Sequence, residues 1–171
     1  MRSERPHRVS RAGALLLLAL AVAAWAAPAP RVCVVETERG TLSFRFYPQV
    51  APRTAARIAE LADAGFYDGI LFHRVVAGFV VQAGDPTGSG EGGSGKTIPA
   101  EFSHLHFIRG SVGMARDEDI HSNDSQFFIC LGEQPHLDGR YTLFGQVIAG
   151  EDVLDRIRQG DRIVRMRTRP E

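Results

Sequence analysis

An arginine and a glutamine lie within two neighbouring apolar runs of this chain, and both could take part in chemistry. The stretch from Phe72 to Asp85 reads FHRVVAGFVVQAGD and contains Arg74 and Gln82. Its two short apolar runs, joined by an Ala-Gly pair, are typical of two strands and a tight bend. Burying an unpaired polar group costs several kcal/mol, so both side chains need partners. Arg74 is therefore either a paired arginine at a sheet end or a hydrogen-bond donor in a binding site.

A glycine-rich stretch over residues 84–97 contains a literal phosphate-binding pattern. GEGGSGKT (90–97) fits G-x-x-x-x-G-K-[ST], and G-x-G-x-x-G occurs at 88–93. Such loops bind phosphate where they join a strand to the N-terminus of a helix. Here Ile98-Pro99 follows at once, where a helix would be gaining hydrogen bonds that proline cannot make. The sequence favours a surface loop, and we expect no nucleotide partner.

The other reactive side chains lack partners in the sequence. His104 and His106 share one face of an extended segment, but no third ligand lies nearby, so we expect surface histidines and no metal site. Cys33 and Cys130 lie in apolar runs where buried free thiols are common, although an oxidising compartment would permit a disulfide. Ser125 lacks the G-x-S-x-G elbow of one hydrolase class. Covalent catalysis is therefore not expected.

Four sequence blocks give a more specific signal than any of these motifs. They are FHRVVAGFVVQAGDPTG (72–88), GSVGMAR (110–116), NDSQFFI (123–129) and HLDGRYTLFGQV (136–147). In this order and spacing they resemble the cyclophilin family of peptidyl-prolyl cis-trans isomerases. The resemblance covers Arg31 to about Thr168, so we expect one cyclophilin-like isomerase domain over 31–168. It implies an enzyme without cofactor or metal that acts on proline-containing polypeptides.

The resemblance also implies roles for individual residues. Arg74 would donate to the proline nitrogen, Gln82 would bind the substrate backbone, and Phe79 would complete the catalytic group. The implied substrate-binding residues are Val80, Gly90, Ala115, Arg116, Gln126, Phe128, His136, Leu137 and Tyr141. Within this set, an apolar proline pocket would be formed by Phe79, Val80, Phe128 and Leu137. Backbone contacts to the residue before proline would come from Ala115 and Arg116, and Gly90 would border the neighbouring subsite.

Three of these positions depart from the family pattern. His136 stands where the family has a pocket tryptophan, Tyr141 where a histidine is common, and Arg116 where an asparagine follows Met-Ala. Tyr141 can still close the pocket with an aromatic face. The change from asparagine to Arg116 affects substrate binding less if residue 116 contacts the substrate through its backbone. Because His136 offers less apolar area, we expect weak binding of cyclosporin, which packs on the tryptophan in sensitive members.

Isomerisation of an X-Pro bond makes modest chemical demands. The rotation barrier is about 18–20 kcal/mol, and no bond is broken. The proline nitrogen regains a lone pair in the twisted amide, so a donor aimed at it stabilises the transition state selectively. A proline-peptide binding module or chaperone with negligible turnover is the alternative function. Arg74 favours the enzyme, because a binding module would not need a donor that serves the transition state.

Many short strands and two helices must position these residues. The patterns predict a hairpin over 31–47 and strands within 72–85, around 107–114, 125–131 and 142–148, and in the tail over 164–169. Helices are predicted from Pro52 to Ala64 and from Glu151 to Gln159. Such a pattern predicts a mainly β fold with a closed antiparallel β-barrel. The resemblance implies eight strands capped by two α-helices.

Alternation along the strands predicts which side chains share a face. It groups Phe79 with Val81, and Val80 with Gln82, on the two sides of one strand. In the last strand it places Val164 on the same face as Met166 and Thr168.

The N-terminus resembles an export signal. Residues 1–26 contain four arginines and one glutamate, and the apolar run Ala14 to Ala27 is shorter than the roughly 20 residues of a spanning helix. Ala24-Trp25-Ala26 fits an A-x-A cleavage site, so we predict a signal peptide over 1–26 and a periplasmic or secreted product. An uncleaved membrane anchor is the alternative.

The length of the chain suggests a single domain. The chain has 171 residues and no formal net charge, which gives no indication of a nucleic-acid partner. Removal of residues 1–26 leaves a mildly acidic protein. We expect a monomer that assists the folding of unfolded or newly translocated polypeptides.

Overall fold

Eight antiparallel strands and two helices form the part of the chain that the computed structural model describes, residues 31–171. The predicted signal peptide or anchor lies outside the described residues. The strands are β1 (Arg31–Thr37), β2 (Gly40–Phe46), β3 (Arg74–Val76), β4 (Val80–Ala83), β5 (Ser111–Met114), β6 (Phe127–Cys130), β7 (Leu143–Ala149) and β8 (Ile163–Pro170). The helices are α1 (Pro52–Asp63) and α2 (Glu151–Leu154), with a 3-10 turn, η1, at Pro135–Leu137. The predicted mainly β fold is confirmed.

The strands form one curled sheet in the order β3-β4-β6-β5-β7-β2-β1-β8. Its two ends meet at a seam that is not a full strand ladder. There, the extended segment before β3 makes an isolated bridge between Leu71 and Arg162, and the Phe72 N–H donates to the Asp161 carbonyl at 2.8 Å. These bonds satisfy backbone groups that an open edge would leave exposed.

Short strands supply side chains to two separate hydrophobic clusters. In β6, Phe127 and Ile129 belong to the larger cluster, which also contains Ile58 of α1. Phe128 and Cys130 point the other way and belong to a smaller cluster. Because successive side chains of a strand alternate between faces, four residues of β6 serve both the core and the face that carries the site.

Helix α1 begins and ends within one residue of its predicted bounds, and it packs on the core through a stripe that includes Ile58 and Ala62, both fully buried. No side chain at its own N-cap satisfies the first N–H groups. The distant Glu101 carboxylate accepts hydrogen bonds from the N–H groups of Arg53 at 3.1 Å and Thr54 at 2.9 Å instead. A negative charge at this end is also favoured by the helix dipole.

The second helix is shorter than the sequence predicted. It ends at Leu154 rather than at Gln159, and turns follow it. Ile157 is still buried, so the apolar pattern identified core residues correctly but not the backbone that carries them. Among residues 31–171, neither helix has the length and apolar character that crossing a membrane requires.

The predicted facing of β8 is wrong at Val164. This side chain is 53% exposed, whereas Ile163 and Met166 are fully buried. The pairing of β8 with β1 shifts register between Glu36 and Thr37, which leaves Val164 without a partner in the ladder. Such a bulge resets the alternation, so the rule that side chains i and i+2 share a face fails across it.

Candidate active site

A cleft on the face of β4 and β6 that carries the smaller cluster brings most of the predicted site residues together. We call the part of the cleft that is lined by aromatic side chains the first cavity. It has a volume of about 370 Å³. It is lined by Arg74, Phe79, Val80, Gln82, Ala115, Arg116, Phe128, His136, Leu137, Arg140 and Tyr141. The remaining two predicted residues, Gly90 and Gln126, line an adjoining second cavity of about 380 Å³. The two cavities share Gln82, Ala115 and Arg116.

Arg74 is held at the mouth of the first cavity by its neighbour in the sheet. It pairs with Gln82 across β3 and β4, and its Nη1 donates to Gln82 Oε1 at 3.1 Å. Its guanidinium carbon lies 5.4 Å from the centre of the Phe79 ring. No carboxylate among residues 31–171 pairs with it. The positive charge is thus oriented without being neutralised, so it can donate to a ligand.

Phe79 reaches the site from a turn rather than from a strand. Strand β4 begins at Val80, and the Phe79 N–H closes the preceding turn on the Val76 carbonyl at 3.0 Å. Phe79 packs with Val80 against the smaller cluster, whereas Val81 lies in the larger one. The predicted grouping of Phe79 with Val81 is therefore wrong, because alternation holds only within a strand.

Aromatic rings form the floor of the first cavity. Phe128 and Leu137 are each only 5% exposed. The Phe128 ring lies 5.7 Å from that of Phe107, and Tyr141 meets it edge-on at 5.9 Å. A Cβ on Gly113 of β5 would lie 2.5 Å from Phe128 Cζ, so a glycine is required there. The result is a fixed apolar surface of the size that a small ring can contact.

The rim of the first cavity is cationic. The Arg116 guanidinium lies 4.7 Å from the centre of the Tyr141 ring and donates to the Arg140 carbonyl. The Arg116 side chain therefore contributes to the site, and not only its backbone. Arg140 also lines the cavity, although sequence reasoning missed it, because an exposed charge in a turn has no distinctive pattern. His136, on η1, completes the rim with its ring 5.4 Å from that of Phe79.

The glycine loop is closed around a carboxylate of the protein itself. Asp85 Oδ2 accepts from the Gly90 N–H at 2.6 Å, and Oδ1 accepts from the Thr87 N–H at 2.7 Å. Burial raises the pKa of Asp85, but hydrogen bonds from Thr87 and from the N–H groups of Gly90 and Gly92 outweigh it and hold that pKa well below its usual range. A carboxylate thus occupies the centre of the loop. After Thr97 the chain forms an isolated bridge between Ile98 and Asn123, and no helix begins there.

The remaining reactive groups are placed outside the cleft. His106 Nδ1 lies 2.7 Å from the Asp138 carboxylate, and no group of three or more His, Cys, Asp or Glu side chains within residues 31–171 could hold a metal ion. Cys33 and Cys130 are free and buried, as the sequence favoured, and they lie in different clusters. Burial raises the pKa of Cys130 to about 12, so its thiol is a poor nucleophile.

The geometry of the first cavity suits rotation about a bond better than its cleavage. A small apolar ring can lie on Phe128 and Leu137, which places the adjoining amide beside the Arg74 guanidinium. An apolar surface disfavours the polar planar amide relative to the twisted one. A charged donor strengthens its hydrogen bond as a lone pair appears on the nitrogen, so it stabilises the transition state more than the ground state.

Comparisons with known proteins agree with this geometry. The profile of the family described as "Cyclophilin type peptidyl-prolyl cis-trans isomerase/CLD" matches residues 32–170. A peptidyl-prolyl cis-trans isomerase of Synechococcus elongatus is 44% identical over 133 residues, which cover 77% of this chain and 91% of that protein. One of Helicobacter pylori is 43% identical over 134 residues, covering 74% and 80% of the two chains.

A solved structure shows the same likeness in three dimensions. The crystal structure of a cyclophilin-type peptidyl-prolyl cis-trans isomerase from Cryptosporidium parvum superimposes with a TM-score of 0.77 at 28% identity. The alignment covers 83% of this chain and 99% of the parasite protein. Another structure of that parasite protein, determined in the presence of the dipeptide Ala-Pro, gives a TM-score of 0.76.

Proposed function

We propose that this chain, which belongs to the cyclophilin-type peptidyl-prolyl cis-trans isomerase family, acts on polypeptides that have just been exported and are not yet folded. As a member of that family it catalyses the cis-trans isomerisation of X-Pro peptide bonds. The observation that carries the site assignment is the un-neutralised Arg74 guanidinium beside the apolar floor of the first cavity. The export setting is supported by the N-terminal pattern of charges and apolar residues.

In the proposed mechanism, the proline ring of the substrate packs on Phe128 and Leu137. Arg74 donates to the proline nitrogen as the amide twists, and Gln82 binds the substrate backbone next to the rotating bond. A charge-assisted hydrogen bond contributes about 1.5–3 kcal/mol, which is a small part of a barrier of about 18–20 kcal/mol. The apolar floor and the fixed position of the substrate must therefore supply the rest of the catalysis.

A protease-coupled assay on a short X-Pro peptide tests the activity directly. The mature protein, residues 27–171, should accelerate the slow cis-to-trans phase, which otherwise takes tens to hundreds of seconds. Binding of the peptide without acceleration would contradict the enzyme and support the binding-module alternative.

The export proposal rests on residues 1–26 and has its own test. The full chain should be recovered from the periplasm or medium of a Gram-negative host with a mass that lacks those residues. A bulky residue at the cleavage site, Ala26→Tyr, should block processing, because the signal requires small residues there. A full-length wild-type product in the membrane fraction would instead support the anchor.

A further inference from the structure

We propose that Gln126 is a positioning residue, which orients the Gln82 amide and thereby holds Arg74, rather than a residue that contacts the substrate. The inference rests on the proposed function, because it assigns Arg74 the transition-state donor. Its starting observation is a continuous chain of hydrogen bonds that runs from the glycine loop to the Arg74 guanidinium.

The Gln126 amide already uses its hydrogen-bonding groups within the protein. Its Nε2 donates to the carbonyls of Gly90 and Gly92, each at 2.8 Å. Its Oε1 accepts from Gln82 Nε2 at 2.9 Å. A primary amide has two N–H groups and an oxygen with two lone pairs, so only one acceptor position is left. Gln126 therefore has no free donor with which to bind a substrate carbonyl.

The direction of the chain is fixed at both ends. The carbonyls of Gly90 and Gly92 can only accept, so Gln126 must present Nε2 to them and Oε1 to Gln82. Gln82 must then present Nε2 to Gln126 and Oε1 to Arg74, whose guanidinium can only donate. If either amide flipped, two acceptors or two donors would face each other. The loop carbonyls thus determine which end of Gln82 faces Arg74.

The loop end of the chain is itself held by Asp85. This residue is 1% exposed and accepts from the Gly90 N–H at 2.6 Å. A Cβ on Gly92 would lie 2.1 Å from Asp85 Oδ1, so a glycine is required at that point of the loop. The two carbonyls that orient Gln126 are therefore fixed by a buried carboxylate, and the glycine-rich sequence serves the site through them.

A substitution that keeps the volume but removes the hydrogen bonds tests the inference. Gln126→Met should lower kcat about three- to tenfold, the effect of losing one neutral hydrogen bond, with KM changed less than about twofold. The matched control is Gln146→Met. Gln146 is also half-buried and donates to a backbone carbonyl, that of Arg109 at 2.8 Å, but it lines neither cavity. That control should leave kcat unchanged.

A double-mutant cycle with Arg74→Ala separates positioning from other roles. If Gln126 acts chiefly through Arg74, Gln126→Met should lower kcat much less in the Arg74→Ala protein than in the wild type, and what remains would reflect the contact of Gln82 with the substrate. An equal fall in both backgrounds, or a higher KM with unchanged kcat, would overturn the inference. If Arg74→Ala alone left kcat unchanged, the proposed role of Arg74 as the transition-state donor would be wrong. This outcome differs from those that contradict the positioning role of Gln126, so the experiment distinguishes the two proposals.

A second readout does not depend on turnover. The Arg74 Nε–Hε group should be ordered in the wild type on the ps–ns timescale and become mobile in Gln126→Met, as measured by its NMR order parameter. Unchanged order in the folded variant would also overturn the inference. The same measurement on Asp85→Asn should show a smaller increase in mobility, because Asp85 acts one step further away.

Discussion

The two cavities of the cleft are nearly equal in volume, about 370 and 380 Å³, but they carry opposite charge. The first cavity has three arginines at its rim and no carboxylate, over an aromatic floor. The second is walled by the glycine loop and by Glu91, Asp117 and Asp124, against the single cation Arg116. The first therefore has the means to bind proline and stabilise a twisted amide. If a peptide binds as proposed, the second would offer polar and charged contacts to the residues next to its proline.

This difference predicts where substitutions act on the reaction. Changes in the first cavity should reduce turnover or proline binding, whereas changes at the charged wall of the second should alter the choice among peptides. The loop carbonyls of the second cavity are an exception, since through Gln126 they reach Arg74.

The largest effect is expected for Arg74→Ala. The loss of a charged hydrogen bond made mainly in the transition state should lower kcat/KM by about 10- to 100-fold while the sheet stays folded. The measurement is the protease-coupled assay together with the circular dichroism spectrum. Arg140→Ala is the matched control, because it removes another rim arginine that is not aimed at the proline nitrogen. Equal losses of kcat/KM in both variants would show that catalysis depends on the total positive charge of the rim and not on a specific donor at Arg74.

The floor of the first cavity should be nearly as sensitive. Gly113→Ala puts a methyl group where the Phe128 and Phe107 rings lie, so Phe128 should move toward the proline position. Overpacking of this kind costs about 1–3 kcal/mol, and we expect kcat/KM to fall about tenfold with a lower Tm. Gly132→Ala is a milder control outside the floor, since its Cβ would lie 3.3 Å from the Gly78 carbonyl oxygen, against 2.5 Å from Phe128 for Gly113→Ala. An unaffected kcat/KM in Gly113→Ala would show that the floor is deformable.

The rim residue His136 distinguishes inhibitor binding from turnover. A tryptophan there would bury several tens of Å² more, worth on the order of 1–2 kcal/mol at about 25 cal/mol per Å². His136→Trp should therefore strengthen inhibition by cyclosporin about tenfold and change peptide turnover less. Inhibition titrations on both proteins, side by side, provide the measurement. If the two inhibition curves coincided, the side chain at position 136 would not be part of the cyclosporin-binding surface.

The smallest effect concerns the acidic wall of the second cavity. Peptides with lysine two residues before proline should be turned over about two- to fivefold better than those with glutamate, because exposed charge pairs are worth only about 0.2–1 kcal/mol. Asp117→Asn and Glu91→Gln should each reduce that preference, and so should added salt. Glu133→Gln removes the same charge outside both cavities and should not. If the preference for lysine over glutamate were unchanged in both Asp117→Asn and Glu91→Gln, the acidic wall of the second cavity would not be its cause.

The sequence by itself determined the local elements and the identity of most site residues. The hairpin β1–β2 and helix α1 follow from their own alternation, turn and apolar stripe, so their predicted bounds hold closely. The four sequence blocks contain all the lining residues of the first cavity, even though Arg140 was not recognised among them. The local elements depend on neighbours in the chain, which a sequence displays directly, whereas the site residues were found through the resemblance of the four blocks to the family.

Only the tertiary structure decided how distant groups complete one another. Glu101 caps α1 from about 50 residues away, Val164 turns outward at a bulge set by β1, and Gly113 is needed because Phe128 crosses it. The use of both Gln126 N–H groups by two loop carbonyls likewise has no signature in the sequence. Hydrogen-bond capacity and close packing are properties of atoms brought together by folding. The sequence specifies which groups are present, but their partners are set by how the curled sheet, helices and loops fold together.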